Sequence, residues 1–120
     1  MTMSDAPAPI VGENHRALFD PAQGVARIEG SFRLNGLEEY RPLMQALLQL
    51  CEQCDQVTLD LRALDFLNSS GIAMLSKFAL EMRARDALKL SILASDSIPW
   101  QSKSLKNIQR LLPTLELRFE

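Results

Sequence analysis

The chain has 120 residues, room for one domain with its own core and too few for a catalytic domain joined to a second module. With 47% hydrophobic and 23% charged residues and a mean hydropathy of -0.04, the composition is that of a folded chain and excludes global disorder. Thirteen basic against fifteen acidic residues leave a formal charge of -2, too near balance for direct nucleic-acid binding, and no apolar run reaches the roughly 18 residues of a membrane span.

Residues 1–13 carry Pro7 and Pro9 among small and polar residues, and they lack the basic start and apolar stretch of a signal peptide. A flexible leader is expected there, followed by a single domain over 14–120, with a cytoplasmic location and no membrane insertion. Arg16–Phe19 and Val25–Ile28 are short apolar runs separated by the turn formers Asp20-Pro21-Ala22-Gln23-Gly24, which predicts a hairpin. From about Gly36 to Gln53, Leu37, Tyr40, Met44, Leu47, Leu48 and Cys51 recur at spacings of three and four, the stripe of an amphipathic helix. Val57, Leu59 and Leu61 then alternate with Thr58, Asp60 and Arg62, the period of a strand buried on one face.

Ile72, Leu75, Ala79 and Met82 give a second helix from Ser70 to about Arg83, preceded by the capping residues Asn68-Ser69-Ser70 and by Gly71. Leu88, Leu90 and Ile92 alternate again, so strand, helix and strand succeed one another as a parallel βαβ unit. A last helix runs from about Pro99 to Leu112 and stops before Pro113, and Leu115, Leu117 and Phe119 form a terminal strand. Strands covered on both faces show continuous apolar runs, whereas these alternate. The expected fold is therefore α/β, a mixed sheet with helices packed on one face.

Few residues carry chemistry. The single histidine, His15, stands at the edge of the leader, where it cannot serve a serine nucleophile. Asp60 and Asp65 flank a strand end and read as capping or solvated carboxylates. Cys51-Glu-Gln-Cys54 has redox spacing, yet it ends a helix, where the dipole opposes thiolate formation, and two further zinc donors are missing at any usual spacing. Packing is expected for Cys51 and partial exposure for Cys54. Lys103, Lys106 and Arg110 form one basic stripe that reads as a solvated helix face. No metal, cofactor or enzymatic activity is expected.

The segment Leu59-Asp-Leu-Arg-Ala-Leu-Asp-Phe-Leu-Asn-Ser-Ser-Gly-Ile-Ala-Met-Leu75 is more specific than any of these. It resembles the STAS domain of bacterial anti-sigma factor antagonists, in which an LDL strand leads through a D-F-x-D-S-S-G loop into a helix. The order of elements from about residue 15 onward is similar too. The resemblance implies a STAS fold and a non-enzymatic partner switch controlled by reversible phosphorylation of the first loop serine, here Ser69, with Ser70 as the alternative acceptor. It also implies partner contacts through Asn68, Ser69, Ser70, Gly71 and Ile72, and as partners a serine kinase of the anti-sigma factor type and a PP2C-type phosphatase. A phosphorylation-independent STAS scaffold subunit of a membrane transporter complex is the alternative. Where the family has Asp ahead of the serines, this chain has Asn68.

Overall fold

Along the chain come β1 (Ile10–Val11), β2 (His15–Asp20), β3 (Val25–Phe32), α1 (Gly36–Gln53), β4 (Gln56–Asp60), β5 (Leu64–Leu67), α2 (Ser69–Arg83), β6 (Lys89–Ala94), α3 (Pro99–Leu111) and β7 (Glu116–Phe119). They are those of a computed structural model that describes residues 6–85 and 88–120. The turn formers after Asp20 close the expected hairpin, with β2 antiparallel to β3 from His15 opposite Gly30 to Asp20 opposite Val25. The sheet then continues in parallel, β3 to β4, β4 to β6 and β6 to β7, which makes a seven-stranded mixed sheet. Ala26, Ile28, Phe32, Val57, Leu59, Leu90, Ile92 and Ala94 are buried under the helices, while the alternate positions Arg27, Glu29, Thr58 and Ser91 remain at least partly exposed. The helices cover one face, as the alternation requires.

Three features depart from the sequence reading. Ile10–Val11, inside the expected leader, forms a short strand antiparallel to β2, and Pro7 is buried. Residues 1–5 of that leader lie outside the described residues. The stripe of α1 is only partly as expected: Tyr40, Leu47 and Cys51 are buried, joined by Leu43 and Leu50, whereas Leu37 is 43% exposed and Met44 and Leu48 are half-buried. The helix rests on the sheet along the first line, and the second borders α2.

The third departure is β5, a strand the sequence reading takes as loop. Eight residues long, β3 receives two parallel partners along one edge: β4 at Val25–Arg27 and β5 at Gly30–Phe32. The register slips between Gly30 and Ser31, leaving Asp65 as the extra residue of a bulge. Gly30 (φ 88°) donates its N–H to Ala63 O at 2.9 Å, and a Cβ there would press on the Asn14 carbonyl.

Gln101 fastens this switch. Its side chain is fully buried; Nε2 donates to the carbonyls of Leu61 (2.7 Å) and Leu64 (3.0 Å), and Oε1 accepts the N–H of Ser95 (2.8 Å). Trp100 Nε1 also donates to Leu64 O at 3.1 Å. The first turn of α3 thus ties the β4–β5 turn to the end of β6. Replacing Gln101 by Leu is expected to strand the Ser95 N–H and to cost about 1–3 kcal/mol in denaturant unfolding. An unchanged unfolding midpoint would rule this clamp out.

The open face is a grid of ion pairs. Arg62 donates Nε to Asp60 Oδ1 (2.9 Å) and Nη2 to Asp60 Oδ2 (2.8 Å), and its Nη1 reaches Glu120 at 3.1 Å. Hydrogen bonding by Arg62 holds the Asp60 carboxyl below its ordinary range despite partial burial. Asp60 is thereby committed to structure, and Asp65 is exposed. Lys103, Lys106 and Arg110 are exposed, as a solvated stripe should be.

Cys51 is buried and Cys54 half-buried, its Sγ–H donating to Pro21 O at 3.3 Å; both are free thiols. Burial pushes the Cys51 thiol up to about 11. The unfolded chain therefore loses this proton first. The stability tied to Cys51 is intact below about pH 9 and falls, by ~2–3 kcal/mol, as pH rises to about 11. Unfolding midpoints of parent and Cys51→Ala across pH 8–11 should show a steeper alkaline loss in the parent. Parallel curves would contradict the assignment.

Candidate functional site

The segment Asn68–Ile72 sits at the carboxyl end of β5, where the chain turns into α2. Its first residue organises it. Asn68 caps α2, with Oδ1 accepting the Gly71 N–H at 3.0 Å and the Tyr40 hydroxyl of α1 at 2.6 Å, while Nδ2 donates to Leu34 O at 2.8 Å. Its backbone N–H reaches Phe32 O at 3.2 Å. One side chain thus joins the end of β3, the second turn of α1 and the mouth of α2. Burial raises the Tyr40 phenol above its ordinary range, so it stays a donor at neutral pH.

Gly71 explains itself through space. Its φ is not positive, and a Cβ there would lie 2.6 Å from Leu67 Cγ and 2.8 Å from the Tyr40 hydroxyl. Leu67 is buried, and Tyr40 cannot retreat without leaving Asn68. Ile72 is half-buried against the core.

The two serines differ. Ser70 is half-buried, and its Oγ accepts the N–H of Gly36 at 3.2 Å, which ties the start of α1 to the start of α2. Ser69, the first residue of α2, is exposed, and among the described residues its hydroxyl has no hydrogen-bond partner. From the turn where Ser70 meets Gly36, α1 and α2 enclose a shallow groove of about 180 Å³ lined by Leu37, Glu38, Arg41 and Met44 on one side and Met74 and Lys77 on the other. Leu80, one turn beyond Lys77, is 47% exposed. The loop thus opens onto a partly apolar helical surface.

His15 packs its ring on Phe32 (centroids 4.5 Å apart), in a structural role. Among the described residues no three His, Cys, Asp or Glu side chains are placed to hold a metal ion, and no helix is long and apolar enough to cross a membrane. Sequence reasoning missed the contribution of Tyr40 and of the Phe32 and Leu34 carbonyls. The only signal was a polar aromatic inside an apolar stripe.

The elements and the serine loop together define a mixed α/β domain, a seven-stranded sheet with three helices. No protein-family model matches the chain, and no curated protein sequence matches it. Two solved structures share its fold. SiaC of Pseudomonas aeruginosa superposes with a TM-score of 0.73 at 12% identity, covering 94% of this chain and 96% of SiaC. The complex of the diguanylate cyclase SiaD with its activator SiaC, also from Pseudomonas aeruginosa, matches with a TM-score of 0.72 at 12% identity, covering 94% of this chain and 99% of the matched one. The second structure corrects the expected partners: the fold is found there in complex with a diguanylate cyclase, not with a serine kinase of the anti-sigma factor type or a PP2C-type phosphatase.

Because Asn68 both accepts and donates, Asn68→Asp should lose the bond to Leu34 O and set two acceptors against each other, at about 1–3 kcal/mol. Gly71→Val should cost at least about 1 kcal/mol by overpacking. Thermal and denaturant unfolding of both variants checks this, and parent-like stability in either would refute the corresponding contact.

Proposed function

We propose that this chain is a STAS-type regulatory binding protein, without catalysis of its own, that docks on a signalling enzyme of the diguanylate cyclase class and changes its activity. The docking surface is the Asn68–Ile72 segment together with the groove between α1 and α2. One observation carries the reading: Ser69 is the exposed, unpartnered hydroxyl of a loop whose other polar groups are held in place. The complex in which the same fold accompanies a cyclase supports the class of partner.

Reversible phosphorylation of Ser69 is the proposed control. A phosphate there adds about -1.5 to -2 charge next to the positive end of α2, which holds it without disturbing the fold. A partner surface fitted to a neutral hydroxyl then meets bulk and unpaired charge. Ser70 is the poorer acceptor because its oxygen already serves Gly36.

The test is the affinity of the parent, Ser69→Ala and Ser69→Glu for each diguanylate cyclase of the source genome, with cyclase rates and thermal melts alongside. Ser69→Glu should melt like the parent and bind at least tenfold more weakly, about 1.4 kcal/mol, and Ser69→Ala should bind like the unmodified chain. Phosphopeptide mapping of the chain from its native cell should place phosphate on Ser69. Equal binding by all three, with both serines unmodified, would overturn the switch and leave a phosphorylation-independent scaffold. Absence of binding to every cyclase would overturn the partner class.

A further inference from the structure

Arg33 follows β3, and its guanidinium lies over the ring of Phe66 in β5, with Cζ 4.2 Å from the ring centroid. The placement follows from register. Ser31 is opposite Phe66, and Arg33, two residues further, projects to the same side. Leu34, next in sequence, gives its carbonyl to Asn68 Nδ2, and Phe66 stands two residues before Asn68. The Arg33–Phe66 stack is therefore at the same end of the sheet as Ser69, toward the open face.

Stacking has a chemical consequence. A guanidinium that rests its face on an aromatic ring keeps its N–H donors in the plane, directed outward. Arg33 is exposed and makes no ion pair or hydrogen bond among the described residues. The nearby acidic residues leave it alone: Glu29 pairs with Arg16, Glu39 accepts the Asn35 N–H, and neither Glu38 nor Asp65, the neighbour of Phe66 in the chain, pairs with it. The other open-face arginines of known geometry, Arg16, Arg27 and Arg62, are all paired with carboxylates of this chain.

We infer that Arg33, held over the ring of Phe66, is an anchor for a carboxylate of the docked protein partner. This rests on the docking surface proposed above and extends it from the helix groove across the end of the sheet. The arrangement suits a partner that presents Asp or Glu at the rim of its contact. The ring restricts the side chain before binding, which lowers the ordering cost on docking, and the fork of donors suits a bidentate carboxylate better than a lysine ammonium does.

The experiment uses the full chain and the cyclase that binds it in the preceding test. Arg33→Ala is expected to weaken the complex at least tenfold with an unchanged melt, Arg33→Lys to recover less than half of that loss, and Phe66→Leu to weaken binding severalfold. Arg33→Glu should bind worst and be partly restored by reversing the charge of one Asp or Glu in the partner. Leu37→Asp, in the groove, serves as the reference. If Leu37→Asp abolishes binding while Arg33→Ala and Arg33→Glu bind within twofold of the parent, the docking surface stands and the anchor is refuted. Full rescue by Arg33→Lys, or failure of every charge reversal to restore Arg33→Glu, also refutes it, leaving a mere surface stack. If Leu37→Asp, Ser69→Glu and the Arg33 variants all bind like the parent, the docking surface itself is wrong and the anchor falls with it.

Discussion

Everything at the serine loop depends on β3 accepting two parallel partners in succession along one edge. Because β4 leaves β3 at Arg27 and β5 takes over at Gly30, the chain after Leu67 arrives beside Phe32 and Leu34 rather than at the far side of β4. Only from there can Asn68 reach the Leu34 carbonyl, the Tyr40 hydroxyl and the Gly71 N–H together. The handover leaves turn carbonyls near the core at Leu61 and Leu64, and a buried amide from α3 satisfies them. The helix farthest along the chain thus supports the loop that opens the second helix, through the strand between them.

Rigidity is distributed by burial. Tyr40, Gly71 and Leu67 are enclosed, so changes there reach the fold. Ser69 faces solvent from the first position of a helix whose cap is supplied by its neighbour, so its hydroxyl is free of structural duty. That separation is what a docking surface needs if its chemistry is to change while its shape persists. Ser70 has the same side chain one residue away, but Gly36 already occupies its oxygen.

Much of this was legible in the sequence because it rests on local periodicity. The hairpin, the 18-residue first helix from Gly36 to Gln53, the strand–helix–strand order after Gln56 and the one-sided sheet all follow from alternation, helical spacing and turn chemistry. What stayed hidden is nonlocal. Leu64–Leu67 is four residues with a bulge, too short for a period to declare itself, and it is a strand only because Gly30–Phe32 offers an edge. Ile10–Val11 is shorter still and depends on β2. The expected α1 stripe mixes two apolar lines, with Tyr40, Leu47 and Cys51 in the buried one and Leu37, Met44 and Leu48 beside it, since spacing alone does not rank them. Gln101 gave no signal at all: a glutamine in a helix reads as surface until the carbonyls it must satisfy are known.

The substitution of Asn68 for the aspartate of the resembling loop looks at first like a loss, since a carboxylate that could orient the serine is absent. The geometry argues otherwise. An aspartate could accept from Tyr40 and Gly71 but could not donate to Leu34 O, so in this chain the amide is the group that fits all three partners. Its neutrality matters for the neighbouring residue too. A phosphate on Ser69, the modification proposed above, would stand beside a like charge if position 68 were ionised, and like charges in close contact disfavour one another. With Asn68 the cap carries no charge, so a phosphate would face the positive end of α2 without an adjacent carboxylate opposing it. The same exchange that sets this loop apart from the one it resembles would therefore lower the electrostatic cost of a phosphate on Ser69.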